Sequence, residues 1–405
     1  MRFLLPVLLL CDTWIVENPV DYGLYYLARH QNEDGSWGRK PEGCRCDYGP
    51  PTTAPHRIPV DPAVELQFVR ILERFKEDDI SLRERAQQDI LRLGSDAAPL
   101  LYATSSHRDL EIAGRCRDTL RRLWTNDAET RERWDGLPPG SEGGIEVQAT
   151  SLALLCFLGA GYTHLSKDER CDPAVPERTY CYGKMVKKAL QWLLDQQDDE
   201  GCFAPCHPTA NAIAVLALSE AYGMTAAVHL KEPAQRAVDC LVSTAFNDTS
   251  FNVWKTFALK SAVLSELTFP RTTIEEQYRL LREDPSSLAL AGLVYLHKSL
   301  NKPAREGPDQ LSKVLNPDTL EPEVLSVATC AAYRAWGPQR AEWKAWSDRI
   351  KARCVPTQVV ELTCAHGSCA GPRNGYGQQM LSTLHWLDTM QRYYRYAHVF
   401  GATGQ

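Results

Sequence analysis

The sequence predicts an all-α fold, an α/α toroid in which an outer shell of helices surrounds an inner helical barrel. Three observations carry this. Two segments, 23–37 and 189–203, repeat each other without gaps. In the alignment Leu24 matches Leu190, Tyr26 matches Trp192, Leu27 matches Leu193, Gln31 matches Gln197, Gly35 matches Gly201 and Trp37 matches Phe203. A second kind of segment, apolar nearly all round, lies at 149–160, 210–222 and 286–296, and less cleanly at Phe257–Leu267, Leu325–Ala335 and Met380–Met390. Helices with no polar face are buried on every side, whereas amphipathic ones cover a core. Alternation of the two kinds therefore describes two concentric layers, and counting pairs gives about six.

Each repeat justifies its own element. Val186, Ala189, Leu190, Leu193 and Leu194 form one apolar helical face. The acidic turn after it ends in a glycine suited to a left-handed helix end, and the aromatic that follows can fold back on the apolar face. Two copies are weaker. Ala237, Val238 and Leu241 keep the helix pattern without Gln and Gly, and Gly367-Ser368-Cys369 keeps the turn without the aromatic.

The Q-x-x-x-G-S-W turn at Gln31–Trp37 resembles the repeat of squalene and oxidosqualene cyclases and of protein prenyltransferase β-subunits. The resemblance spans 14–40 and 144–400. Ala214–Gly223 and Gln391–Tyr396 look closest to bacterial proteins carrying such repeats. It implies a toroid divided between a first repeat at 12–48 and the remainder at 144–400. Residues 60–136 break the pattern. Helices starting near Arg83, at Ala97–Leu101 and over Ala113–Leu123 resemble a HEAT-like module, flanked by Gly49-Pro50-Pro51 and Gly136–Gly140. Such a module either binds a protein partner or stiffens the toroid.

Composition narrows the function. The chain has 405 residues, 45 Lys+Arg against 51 Asp+Glu, and no basic block, which argues against a nucleic-acid partner. Met1-Arg2 and the apolar run Phe3–Leu10 read as a signal or lipoprotein-like segment over 1–11, with membrane association only if Cys11 is lipidated. Leu10 is not the small residue a lipoprotein site wants, and a first hydrophobic helix turn is the other reading. Fourteen cysteines favour an exported or cell-envelope setting over the cytoplasm.

The chemistry implied by the resemblance is missing. No D-x-D-D acid is present, and Glu77-Asp78-Asp79 reads as a solvated helix start. No Asp-x-Cys with a matching His supplies a prenyltransferase zinc site, and no thioester motif occurs. His207, Asn211 and Tyr222 could serve a lyase, but any helical protein supplies such a triplet. What stands out is that cysteines follow the turns: Cys44 and Cys46 after the first, Cys202, Cys206 and His207 after the second, Cys364, His366 and Cys369 at the last. In a toroid these turns share one rim, and the last repeat neighbours the first. Disulfides, a zinc site and free thiols are the three readings. The zinc set is Cys202, Cys206, His207, Cys364, His366 and Cys369; no other cofactor is indicated.

Cys171 and Cys181 read as a local disulfide, Cys156 and Cys330 as buried small hydrophobes, and Cys116 and Cys240 have no evident partner. Polar groups at inner-helix starts (Glu146, Gln148, Asn252, Gln379) are cap or pocket candidates. The cavity set is His207, Asn211, Trp254, Lys255, Gln378 and His385. The functional expectation is a non-catalytic binding or scaffold protein taking an apolar, isoprenoid-like ligand in the cavity or a peptide at the rim. The alternative is a zinc-dependent transferase or lyase at the cysteine-rich rim.

Overall fold

A computed structural model describes residues 18–46, 61–77, 79–104, 109–126, 142–204, 207–246, 248–300, 311, 315–369 and 376–399. Segment 1–11 with Cys11, both flanks of the insert, and Cys206 lie outside them. The chain is mostly helical, as its periodicity requires. Helix α1 (Pro19–Arg29) is capped by the Asn18 side chain, which accepts from Val20 N at 3.1 Å. The insert follows as α2 (Pro62–Glu73), α3 (Ile80–Leu91), α4 (Ala98–Thr104) and α5 (Leu110–Asn126). Phe68, Phe75, Ile90, Leu101, Ile112 and Leu120 build a core there, separate from the main one.

The rest alternates two kinds of helix: α6 (Glu142–Gly159), α7 (Tyr182–Asp195), α8 (Pro208–Thr225), α9 (Val228–Ser243), α10 (Thr249–Leu264), α11 (Thr272–Glu283), α12 (Ser287–Leu300), α13 (Pro322–Trp336), α14 (Ala341–Cys354) and α15 (Tyr376–Val399). Helices α6, α8, α10, α12, α13 and α15 pack each on the next, and α15 packs on α6, so the series closes. Helices α1, α7, α9, α11 and α14 pack against members of this series. One departure from the all-helical expectation is an antiparallel hairpin, β1 (Glu169–Asp172) and β2 (Val175–Cys181). Its register sets Cys171 opposite Thr179 and Cys181 opposite Glu169, so the expected Cys171–Cys181 disulfide does not form.

The repeat has a physical purpose that the distances make plain. Gln31 Nε2 donates to Gly35 O and to Met185 O of α7, both at 3.0 Å. Gln197 Nε2 donates to Gly201 O and to Pro233 O of α9, again both at 3.0 Å. Gln358 Nε2 donates to Gly367 O at 3.1 Å and to Pro19 O of α1 at 2.8 Å. Each glutamine thus closes its own turn and clasps the outer helix of the next repeat, and the last clasps the first.

The glycines are required twice over. Gly35, Gly201 and Gly367 have φ of 101°, 91° and 86°. A Cβ there would lie 2.6, 2.4 and 1.9 Å from the carbonyl oxygens of Lys188, Arg236 and Tyr22. Two residues further on, the backbone N–H groups of Trp37, Phe203 and Cys369 donate to Thr150 Oγ1 (2.9 Å), Asn211 Oδ1 (3.0 Å) and Thr383 Oγ1 (3.3 Å) on inner helices. One turn therefore joins three helices. Among the described residues, no helix is long and apolar enough to cross a membrane.

Candidate metal centre

Where the last clasp meets the first, four side chains converge. His30 caps the end of α1, fully buried, with its ring 4.2 Å from that of Tyr26. His30 Nδ1 lies 2.7 Å from Tyr26 O, and a carbonyl only accepts, so Nδ1 carries the proton. In the neutral imidazole, the form that ligates a metal, this leaves the Nε2 lone pair facing Cys46 Sγ and Cys364 Sγ, each at 3.4 Å. Cys44 Sγ is 3.9 Å from Cys364 Sγ, and all four ligand atoms lie within 4.8 Å of one another.

These lengths fit a tetrahedron about a metal ion. With Zn–S near 2.3 Å and Zn–N near 2.0–2.1 Å, tetrahedral edges come to roughly 3.5–3.8 Å. A disulfide needs about 2.05 Å between sulfurs, far shorter than this spacing. The Tyr26 carbonyl supplies the hydrogen bond that orients a ligating imidazole. Lys40 Nζ donates to Cys46 O at 2.6 Å, placing a cation beside the thiolates. The buried Arg29–Asp172 ion pair at 2.6 Å, with Arg29 also donating to His366 O, ties α1 to the hairpin and to the Cys364 segment. Hydrogen bonds from Cys44 and Cys46, then from His30, hold the Cys364 thiol far below the ordinary thiol range. Burial pushes His30 down, but its bonds to Cys364 and Cys44 outweigh that and raise it.

Cys46 is buried, while Cys44 and Cys364 are half-buried on a cleft of about 790 Å³ that Arg45, Arg178, Glu42 and Glu177 also line. Among the described residues that the sequence nominated for zinc, Cys364 alone takes part. Cys202 forms a disulfide with Cys240, closing 38 residues of chain and joining the second turn to α9. Loop closure of that size stabilises by about 4 kcal/mol. His207 packs its ring on Gly144 at the start of α6. His366 sits edge-on to Tyr22 at 4.7 Å, and Cys369 occupies the aromatic's place in the last turn. His30 was missed by the sequence reading; the one signal was its position, next to the repeat glutamine, where the second copy has Gln196.

The cavity set divides. Asn211 is structural, its Oδ1 holding the Phe203 N–H and its Nδ2 lying 3.6 Å from Cys240 Sγ. Gln378 is exposed, and it is Gln379 that turns inward, donating to Cys369 O. Trp254 and His385 do meet, both buried, with centroids 6.1 Å apart, and Trp254 Nε1 donates to Glu323 at 2.8 Å.

Nearby the interior is charged. Arg392 and Ser326 both bond Asp388, and Lys260 Nζ lies 4.4 Å from the centre of the Tyr295 ring. Burial, helped by repulsion from Arg334, pulls Lys260 down to about 7 from 10.5, against the attraction of Cys330 and Glu220. Between those values the unfolded chain binds more protons than the folded one, so this lysine makes stability rise with pH. Lys255, lowered by burial to about 8, acts in the same direction over a narrower window. The urea midpoint is expected to climb from pH 7 to pH 9. Lys260→Met should raise the midpoint at pH 7 and remove the steeper part of the climb; an unchanged slope in that variant would show that Lys260 is charged in the fold.

Neither a protein-family profile, nor a curated protein, nor a solved structure matches the chain.

Proposed function

We propose that the chain is a non-catalytic binding scaffold, an α/α toroid of the terpenoid cyclase and prenyltransferase kind, whose seam is closed by a structural zinc ion. The observation that carries this is the ligand set itself. His30, Cys44 and Cys46 come from the first repeat and Cys364 from the last, and the four together fill a tetrahedral shell. A catalytic zinc keeps a position for water or substrate; four protein ligands leave none. The charged groups around Lys260, Asp388 and Arg392 favour ligand sites in clefts between helices over an isoprenoid in an apolar central cavity. The Cys202–Cys240 disulfide supports an exported setting.

A zinc-enzyme reading is favoured by one feature, the half-buried Cys44 and Cys364 on their cleft. Elemental analysis and cobalt substitution decide between the two. Protein purified without chelator or metal-affinity resin is expected to carry one zinc per chain. Cobalt(II) in its place should give a tetrahedral thiolate spectrum that added azide or cyanide leaves unchanged. A spectrum that shifts with those anions would reveal an exchangeable position and favour the enzyme. No metal, with the thiols oxidised, would remove the zinc from both readings.

A further inference from the structure

A second cleft, unrelated to the metal centre, lies between α10, α11 and the segment 242–246, with a volume of about 770 Å³. Its lining includes Asn252, Lys255 and Gln277, which are 5 %, 4 % and 3 % exposed. Gln277 also lines an adjoining recess of about 80 Å³ whose other walls are Leu259, Val263, Ile274 and Leu296 with Thr256 and Lys260.

The polar groups here are incompletely matched. Lys255 Nζ donates to Thr244 O at 3.2 Å and more weakly to Val242 O at 3.5 Å. An ammonium has three donors, so one remains to point elsewhere. Among the described residues, Asn252 Oδ1 and Gln277 Oε1 have no hydrogen-bond partner although both are buried. Burying an amide oxygen without a partner costs roughly 1–3 kcal/mol, and here two residues with such atoms line the same cleft as one cation. Nor does an ion pair explain the lysine. Glu276, the carboxylate lining the cleft, is bonded to Arg279. At neutral pH Lys255, at about 8, is mainly protonated.

We infer that this cleft binds an aliphatic amino acid, free or as the last residue of a peptide. Its carboxylate meets Lys255, its N–H groups meet Asn252 Oδ1 and Gln277 Oε1, and its side chain enters the recess against Leu259, Val263, Ile274 and Leu296. One cation and two carbonyl acceptors read a carboxylate and an N–H donor together. A plain fatty acid would leave both amides unmatched, and an amine would leave the lysine so. The inference stands whether or not the chain holds zinc.

The test is calorimetric titration of the full-length protein with L-leucine, with glycyl-leucine and with leucinamide. Saturable binding of leucine or the dipeptide is expected, with the tighter of the two identifying the source. Leucinamide, lacking the carboxylate, should bind at least about tenfold more weakly. Lys255→Met and Gln277→Leu should each weaken binding by a similar factor or more. Both variants should melt at or above the parent temperature, because each removes a polar group whose burial is costly. No saturable heat with either carboxylate ligand would overturn the inference. So would equal affinity for leucinamide, or full affinity in a folded Lys255→Met protein.

Discussion

Cys364→Ser protein is expected to purify without zinc and to lose about 3 kcal/mol or more of stability, the largest effect of any single side-chain replacement outside the glycines. The loss arises from topology as well as from the bond itself. His30 and Cys46 are only sixteen residues apart, with Cys44 between them, so bringing these three together closes a short loop. Cys364 comes from more than three hundred residues further on, so the ion it shares with them holds the two ends of the series together. Metal binding to a folded site is folding free energy, because the unfolded chain offers no such site. Chelator titration followed by melting checks this directly. The parent should fall towards the variant's midpoint as metal is removed, while the variant should not respond. Cys171→Ser, an exposed thiol outside the centre, should keep both its zinc and its midpoint. If chelator leaves the parent unmoved while Cys364→Ser still melts early, the cysteines act as a disulfide staple and the metal assignment fails.

That the seam would be rich in cysteine was legible in the sequence, because Cys44 and Cys46 follow the first turn and Cys364 belongs to the last. Helices were legible for the usual reason. Val186, Ala189, Leu190 and Leu193 share a face and are buried on it. The finer content was hidden by spacing. Gln31 and Gln197 stand four residues before their glycines, but Gln358 stands nine before Gly367, with a short excursion between. A gapless repeat cannot find it, although its two hydrogen bonds repeat theirs. Cys240 had no evident partner for a related reason: its partner Cys202 belongs to the turn that the neighbouring repeat clasps onto α9. The slip from Gln379 to Gln378 shows how sharp a helix is. One residue is about 100° of rotation, enough to exchange a buried hydrogen bond for solvent. The hairpin at 169–181 left no signal, since its two strands are short and mostly exposed.

Gly367→Ala is expected to cost still more than losing the metal ligand, about 4 kcal/mol or more, and to take the zinc with it. Gly337 provides the comparison. It too has a positive φ, 73°, but a Cβ there would meet nothing within 4 Å. Gly337→Ala therefore carries only the conformational penalty of a side chain at positive φ with ψ of 165°, a region that is essentially glycine's own, about 1–3 kcal/mol. At Gly367, with φ of 86°, the added Cβ would lie 1.9 Å from Tyr22 O and 3.2 Å from Tyr26 Cβ. Both contacts are on α1, and Tyr22 O is backbone, so no rotamer change relieves the overlap. Helix α1 must withdraw from the turn. Withdrawal lengthens the Gln358–Pro19 bond at 2.8 Å and the Arg29 bond to His366 O, which bridge the same gap. It also carries His30 away from Cys364, from a starting separation of 3.4 Å that leaves no slack for a shared ion. Clasp and metal centre thus share one displacement, and a single methyl group disturbs both. Urea unfolding of the two alanine variants, with zinc content measured on each, separates the contributions. A Gly367→Ala protein as stable as Gly337→Ala and still loaded with zinc would mean that the seam yields without cost, and that neither the clasp nor the ion holds the first helix to the last turn.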